Sequence, residues 1–169
     1  MKNLPFAIRV LSKVHSEIEF NVYGPLDDER SYGNSCLAQL KQLPRNVTAR
    51  YCGEIPHTEV IGVLAKHDLF FLPSKGENFG HAILESLHAG CPPLISDRTP
   101  WQDLQKRNAG WVLPLQDEAV YCEAIENLAA ESEEARAARR RSCREYARTH
   151  SEGPVIDLNR KMFLQLCMS

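Results

Sequence analysis

The stretch Lys75-Gly76-Glu77-Asn78-Phe79-Gly80-His81 gathers residue types suited to an anion and a hydroxylated ligand together. Gly76 and Gly80 lack a Cβ and let the backbone approach a ligand closely. The apolar segment from His81 to Ala89 predicts a helix with little polar surface. The amides of Asn78, Phe79, Gly80 and His81 therefore fall near a helix N-terminus, where unpaired N–H groups and the helix dipole favour an anion. Glu77 sits just before this helix and Glu85 about one turn inside it. A carboxylate beside a phosphate is unfavourable unless it accepts hydrogen bonds from sugar or ribose hydroxyls. A plainer reading makes Glu77 a loop charge that complements the dipole and Glu85 a surface residue. Position favours the ligand reading. The loop follows Leu69-Phe70-Phe71-Leu72, a continuous apolar run expected to be a strand buried on both faces, and ligands of open parallel sheets bind beyond the strand carboxyl ends.

Other chemistry is weaker. The six histidines form no His-Glu-x-x-His or compact ligand cluster, so no metal is expected. His81 and His88 share one helix and read as packing or capping residues, with His81 the better placed to face a ligand. No Gly-x-Gly-x-x-Gly, Walker lysine or Gly-x-Ser-x-Gly elbow is present. Lys75 reads as an exposed loop lysine. The arginines at 136, 139, 140, 141, 144 and 148 follow Glu131, Glu133 and Glu134 along one predicted helix, a dipole-complementing order that reads as a solvated face. Contact with an anionic membrane surface is the lesser alternative.

Alternating strands and helices must position the site. Helical spacing begins at Leu4, with Asn3 expected to cap it, and strands are expected at Ile18–Tyr23, Val47–Tyr51, Leu69–Leu72, Pro93–Ser96 and Gly110–Leu113. Helices are expected around Leu37–Leu43, Val60–Leu64, His81–Ala89, Ala119–Ala130, Glu131–Thr149 and Val155–Leu166, with a helical turn or two at Trp101–Gln105. This order predicts an α/β domain, a Rossmann-like parallel sheet with helices on both faces, spanning residues 1–169. The composition is that of a soluble globular chain, 43% hydrophobic and 25% charged, and 20 basic against 22 acidic residues exclude nucleic-acid binding through bulk charge. Scattered cysteines without a Cys-x-x-Cys pair, and no secretory signal at Met1-Lys2-Asn3-Leu4-Pro5, point to the cytoplasm.

The segment Pro73 to Gly90 closely resembles the signature of retaining glycosyltransferases of family 4, in which two glutamates are separated by seven residues, Phe/Tyr-Gly follows the first, and a small-residue helix ends in Ala-Gly. The resemblance extends through Phe20–Pro25, Val47–Ile55, Cys91–Asp97 and Ala109–Val112, over residues 2 to 130. It implies the C-terminal, donor-binding half of a GT-B architecture, two Rossmann-like domains facing across a cleft. The implied function is transfer of a hexose from a UDP- or GDP-sugar to an acceptor hydroxyl, as in polysaccharide biosynthesis, with no cofactor or metal. The implied partners are the nucleotide-sugar and an N-terminal acceptor domain, against which a C-terminal helix over 150–169 would pack; the isolated domain would be inactive. The alternative is a non-catalytic nucleotide-binding or interaction module.

By the same resemblance, Glu85 would bind the ribose hydroxyls. Glu77, the implied catalytic residue, would meet hydroxyls of the transferred sugar. Asn78, Phe79 and Gly80 would hold phosphate or sugar through their backbone, Gly53, Glu54 and Ile55 would line the base pocket, and Lys2 would bind the diphosphate. Three departures stand out, one of them Tyr23, next to Gly24, where the family often has a second glycine. The Gly-Arg strand that precedes this lysine in the family is absent, which removes half of the cationic clamp and leaves Lys2 without its support. Thr99-Pro100-Trp101-Gln102-Asp103-Leu104 replaces the commoner Gly-Gly-x-x-Glu.

Overall fold

A computed structural model describes residues 2–25 and 30–151. The expected helix over Val155–Leu166 lies outside the described residues. The elements alternate as expected: α1 (Leu4–Leu11), β1 (Ile18–Tyr23), α2 (Arg30–Leu40), β2 (Val47–Gly53), α3 (His57–Leu64), β3 (Phe70–Leu72), α4 (His81–Ala89), β4 (Pro93–Ser96), β5 (Trp111–Leu113), α5 (Glu118–Ala129) and α6 (Glu133–Ser151). The turn expected near Trp101 forms four residues later, as a single 3-10 turn at Gln105–Arg107.

Every strand pair is parallel, but the strands form two ladders, β1-β2 and β3-β4-β5, where one continuous sheet was expected. Among the described residues β3 pairs only with β4, and Phe70 and Phe71 are half-buried and not sealed on both faces. β4 has partners on both sides and all four of its residues are buried.

Successive strand residues point to opposite faces and build two cores. On one face, Leu94 and Phe71 pack with Phe6, Val10 and Leu11 of α1 and with Tyr121, Ala124 and Ile125 of α5. This core also receives Ile18 and Phe20 of β1 and Val47 of β2, which fixes the two ladders against the same helices. On the other face, Leu72 and Ile95 meet Ile83 and Leu87 of α4 and Cys143 and Ala147 of α6. Asn3 does not cap α1 with its side chain. Its backbone is left-handed at φ 61°, and its carbonyl accepts from Phe6 N at 3.0 Å. Glu118 joins the first-face helices, accepting from Arg9 Nε at 2.7 Å and Lys13 Nζ at 2.8 Å.

The arginines of α6 are not simply a solvated face. Arg140 donates to the carbonyls of Ala65 and Gly90, each at 3.4 Å, to His67 O at 3.0 Å and to Asp68 Oδ1 at 2.9 Å. One guanidinium thus satisfies carbonyls where α3 and α4 end, groups the helices cannot pair internally. Gly90 ends α4 at φ 76°, and a Cβ there would lie 2.8 Å from Arg144 Cζ. Arg139 stacks over Trp111 at 4.4 Å and donates to Asn108 Oδ1 at 2.7 Å. Arg140→Ala should lower stability by about 1–3 kcal/mol, the worth of charge-assisted bonds to groups then left unpaired. Arg140→Lys should restore less than half of that, because an ammonium cannot span four acceptors; urea denaturation of the three proteins measures both effects.

Candidate functional site

The loop from β3 to α4 is held on its buried side by hydrogen bonds within itself and to β4 and the segment after it. The hydroxyl of buried Ser74 donates to Gly76 O at 2.9 Å, and Ser96 at the end of β4 donates its hydroxyl to Ser74 O. Glu77 N donates to Arg98 O at 3.2 Å. The chain then turns into α4 at Gly80, whose backbone is left-handed at φ 80°, ψ 56°. A Cβ at Gly80 would lie 2.8 Å from Ile83 Cδ1 and 3.3 Å from Trp101 Nε1, so only glycine fits this turn. No side chain caps α4. Among the described residues, the N–H groups of Asn78, Phe79, Gly80 and His81 have no acceptor. Together with the dipole of α4 they form a concavity of positive potential, an arrangement suited to an anion.

Lys2 completes it. Its Nζ lies 2.8 Å from Glu77 Oε1, so this lysine is paired with Glu77 and does not hang loose. Lys2 with Gly76, Glu77, Asn78, Phe79, Gly80, His81 and Ala82 lines one open pocket of about 420 Å³ beyond the carboxyl end of β3. The Glu77 side chain is 13% exposed and that of Lys2 64%. Burial by itself pushes the Glu77 carboxyl up, but hydrogen bonds from Lys2 and Ser74 and the Lys2 charge outweigh it and hold the group below its ordinary value.

The residues expected to meet the nucleoside stand apart from this pocket. Glu85, on α4, meets His57 Nε2 through Oε1 at 3.0 Å. His57 opens α3 directly after the Gly53-Glu54-Ile55-Pro56 turn, in which Gly53 is left-handed at φ 75°. The fold thus brings Glu85 to His57, two residues beyond Ile55, while Lys2, Glu77, Asn78, Phe79 and Gly80 gather in the pocket. Sequence reasoning missed two residues. His57 carried no signal, because its approach to Glu85 depends on α3 packing against α4. Trp101 had one, an aromatic residue in the segment that departs from the family pattern; its indole Nε1 donates to Phe79 O at 2.6 Å. Among the described residues no group of three or more His, Cys, Asp or Glu could hold a metal ion, and no helix is long and apolar enough to cross a membrane.

A carboxylate whose folded value is depressed stabilises the fold above its unfolded value and loses that contribution as the pH falls through the folded one. Removing Lys2 leaves burial as the dominant influence on Glu77. In Lys2→Ala the Glu77 carboxyl should therefore titrate at a higher pH than in the parent, as read from its side-chain carboxyl carbon by NMR. Neutral-pH stability should change by less than about 1 kcal/mol, since the lysine is largely exposed.

The family model for glycosyl transferases group 1 matches residues 1–150. No curated protein sequence matches the chain significantly. Among solved structures, sucrose-phosphate synthase from Thermosynechococcus elongatus superposes with a TM-score of 0.75 at 21% identity, covering 99% of this chain and 42% of its own. Anabaena HepE, solved in complex with UDP and glucose, gives a TM-score of 0.78 at 18% identity over 99% of this chain and 45% of its own. The catalytic domain of cholesterol-α-glucosyltransferase from Helicobacter pylori gives 0.68 at 15% identity over 88% of this chain and 91% of its own. The chain spans less than half the length of the first two of these proteins. The fold is the α/β fold of GT-B glycosyltransferases. With its family model covering most of its length and its fold shared with these enzymes, the chain belongs to the glycosyl transferases group 1 family.

Proposed function

We propose that this chain is the C-terminal, donor-binding domain of a retaining glycosyltransferase that takes a hexose from a UDP- or GDP-sugar. The carrying observation is the set of unpaired amides at Asn78, Phe79, Gly80 and His81, sharing one pocket with the Lys2–Glu77 pair. The donor diphosphate sits against these amides and draws Lys2 from Glu77. The freed Glu77 carboxylate then accepts hydrogen bonds from hydroxyls of the transferred sugar. This exchange of partners keeps Lys2 beside an anion and keeps the carboxylate hydrogen-bonded before and after binding. As the glycosidic bond to phosphate breaks, the amides and Lys2 stabilise charge on the departing diphosphate, and Glu77 holds the sugar so that its anomeric configuration is kept. Glu85 takes the ribose hydroxyls, and the Gly53-Glu54-Ile55 turn lines the base. An N-terminal domain supplies the acceptor and the other wall of the cleft, so the isolated chain binds donor without transferring sugar.

The roles of the two glutamates separate in calorimetry with UDP and UDP-glucose, and with the guanosine pair. Glu85→Ala should weaken the diphosphate and its sugar conjugate alike, by about 1–3 kcal/mol. Glu77→Ala should weaken the sugar conjugate and leave the bare diphosphate unchanged or slightly tighter, because Lys2 no longer has a competing partner. Equal loss of the bare diphosphate in both variants would show that the assigned division is wrong. The phosphate charge is met here by amides and a lysine, so a chelator should leave donor affinity unchanged; binding abolished by chelator would overturn the metal-independent reading.

A further inference from the structure

We propose that Trp101 is a positioning residue for the phosphate-facing amides, acting through the peptide that joins Phe79 to Gly80. This rests on the donor-site reading above. The indole Nε1 donates to Phe79 O at 2.6 Å. In a trans peptide the carbonyl and the following N–H point in opposite directions. Holding the Phe79 carbonyl on the indole therefore turns the Gly80 N–H away from Trp101, and that N–H is one of the four without an acceptor among the described residues. Because Gly80 is left-handed, this peptide is the joint at which the loop turns into α4, and its rotation would redirect the neighbouring amides as well.

Trp101 is itself firmly placed. It is 5% exposed, and its backbone N–H is 3.4 Å from Thr99 Oγ1. Its ring packs against Tyr146 at 6.1 Å and His150 at 5.5 Å, both on α6, and meets Phe79 edge-on at 5.8 Å. The Tyr146 hydroxyl in turn donates to Asp103. The indole thus links the loop to the last turns of α6, an anchor that a smaller or non-donating side chain at 101 would not provide. The segment that departs from the family pattern carries its own means of orienting the loop.

The test is Trp101→Phe, which keeps an aromatic ring and removes the donor. A benzothienylalanine at 101, isosteric with tryptophan and lacking the N–H, serves if the phenylalanine variant fails to fold. UDP and uridine, and GDP and guanosine, are titrated by ligand-observed NMR, and amide hydrogen exchange is followed at Ile83 and Leu84, whose N–H groups donate to Gly80 O at 2.9 and 3.3 Å. Loss of one charge-facing hydrogen-bond donor should weaken the diphosphate about five- to tenfold while leaving the nucleoside unchanged, and exchange at Ile83 and Leu84 should accelerate. Unchanged diphosphate affinity, or an equal loss of nucleoside, would overturn the positioning role. If the parent protein binds neither diphosphate, the donor-site reading fails on its own account. Exchange then decides: acceleration at Ile83 and Leu84 upholds Trp101's hold on the loop, and unchanged exchange refutes it.

Discussion

Four backbone N–H groups at the head of α4, without a protein acceptor among the described residues, are the constraint around which the site is arranged. Unpaired amides favour rotating toward a carbonyl, a side-chain cap or water, so a loop that presents them together must be prevented from relaxing. The loop has no capping side chain, and a left-handed glycine stands at its N-cap position. Its buried side is occupied by other bonds: Ser96 to Ser74, Ser74 to Gly76, Glu77 N to Arg98 and Trp101 to Phe79. Each of these partners comes from the loop itself, from β4 or from the segment after β4. The ladder that joins β3 to β4 therefore both builds the core and sets the direction of the amides.

The Lys2–Glu77 pair is the electrostatic counterpart of that arrangement. A carboxylate beside a cluster of N–H groups could turn into the cluster and occupy it. Instead, Glu77 is engaged by a lysine that enters from the start of α1. The pair is largely exposed on the lysine side, so its contribution to stability is small and its disruption by a ligand costs little. An interaction of that strength is suited to exchange and poorly suited to scaffolding. The scaffolding role falls to α6, whose Arg140 meets the ends of α3 and α4 together. Those helices carry His57 and Glu85, so the arginine that satisfies their carbonyls also fixes the spacing of the second group of polar residues.

Much of this was legible in the residues. The alternation of apolar runs with helical spacing was enough for the α/β class, for the bounds of α4 and β4, and for most other elements to within a few positions. The Gly76 to His81 loop was legible because its chemistry is local: glycines, a helix start and a carboxylate lie within six residues, and their geometry depends on backbone rules alone. The family resemblance centred on the Pro73–Gly90 stretch that contains this loop and drew on further segments between residues 2 and 130.

Contacts between distant residues were not legible. Lys2 reaches Glu77 across 75 positions, Arg140 reaches Ala65 across 75, and Trp101 reaches Phe79 across 22. A run of arginines reads as a solvated face until tertiary packing brings helix carbonyls beneath it. Likewise, a strand reads as fully buried until the pairing of its neighbours is known, and the division of the sheet beside β3 leaves Phe70 and Phe71 half open. The sequence by itself determined the local conformations, because φ/ψ preferences and hydrophobic period act over a few residues. Only the tertiary structure decided which charges and carbonyls meet, because those pairings depend on how whole elements are stacked.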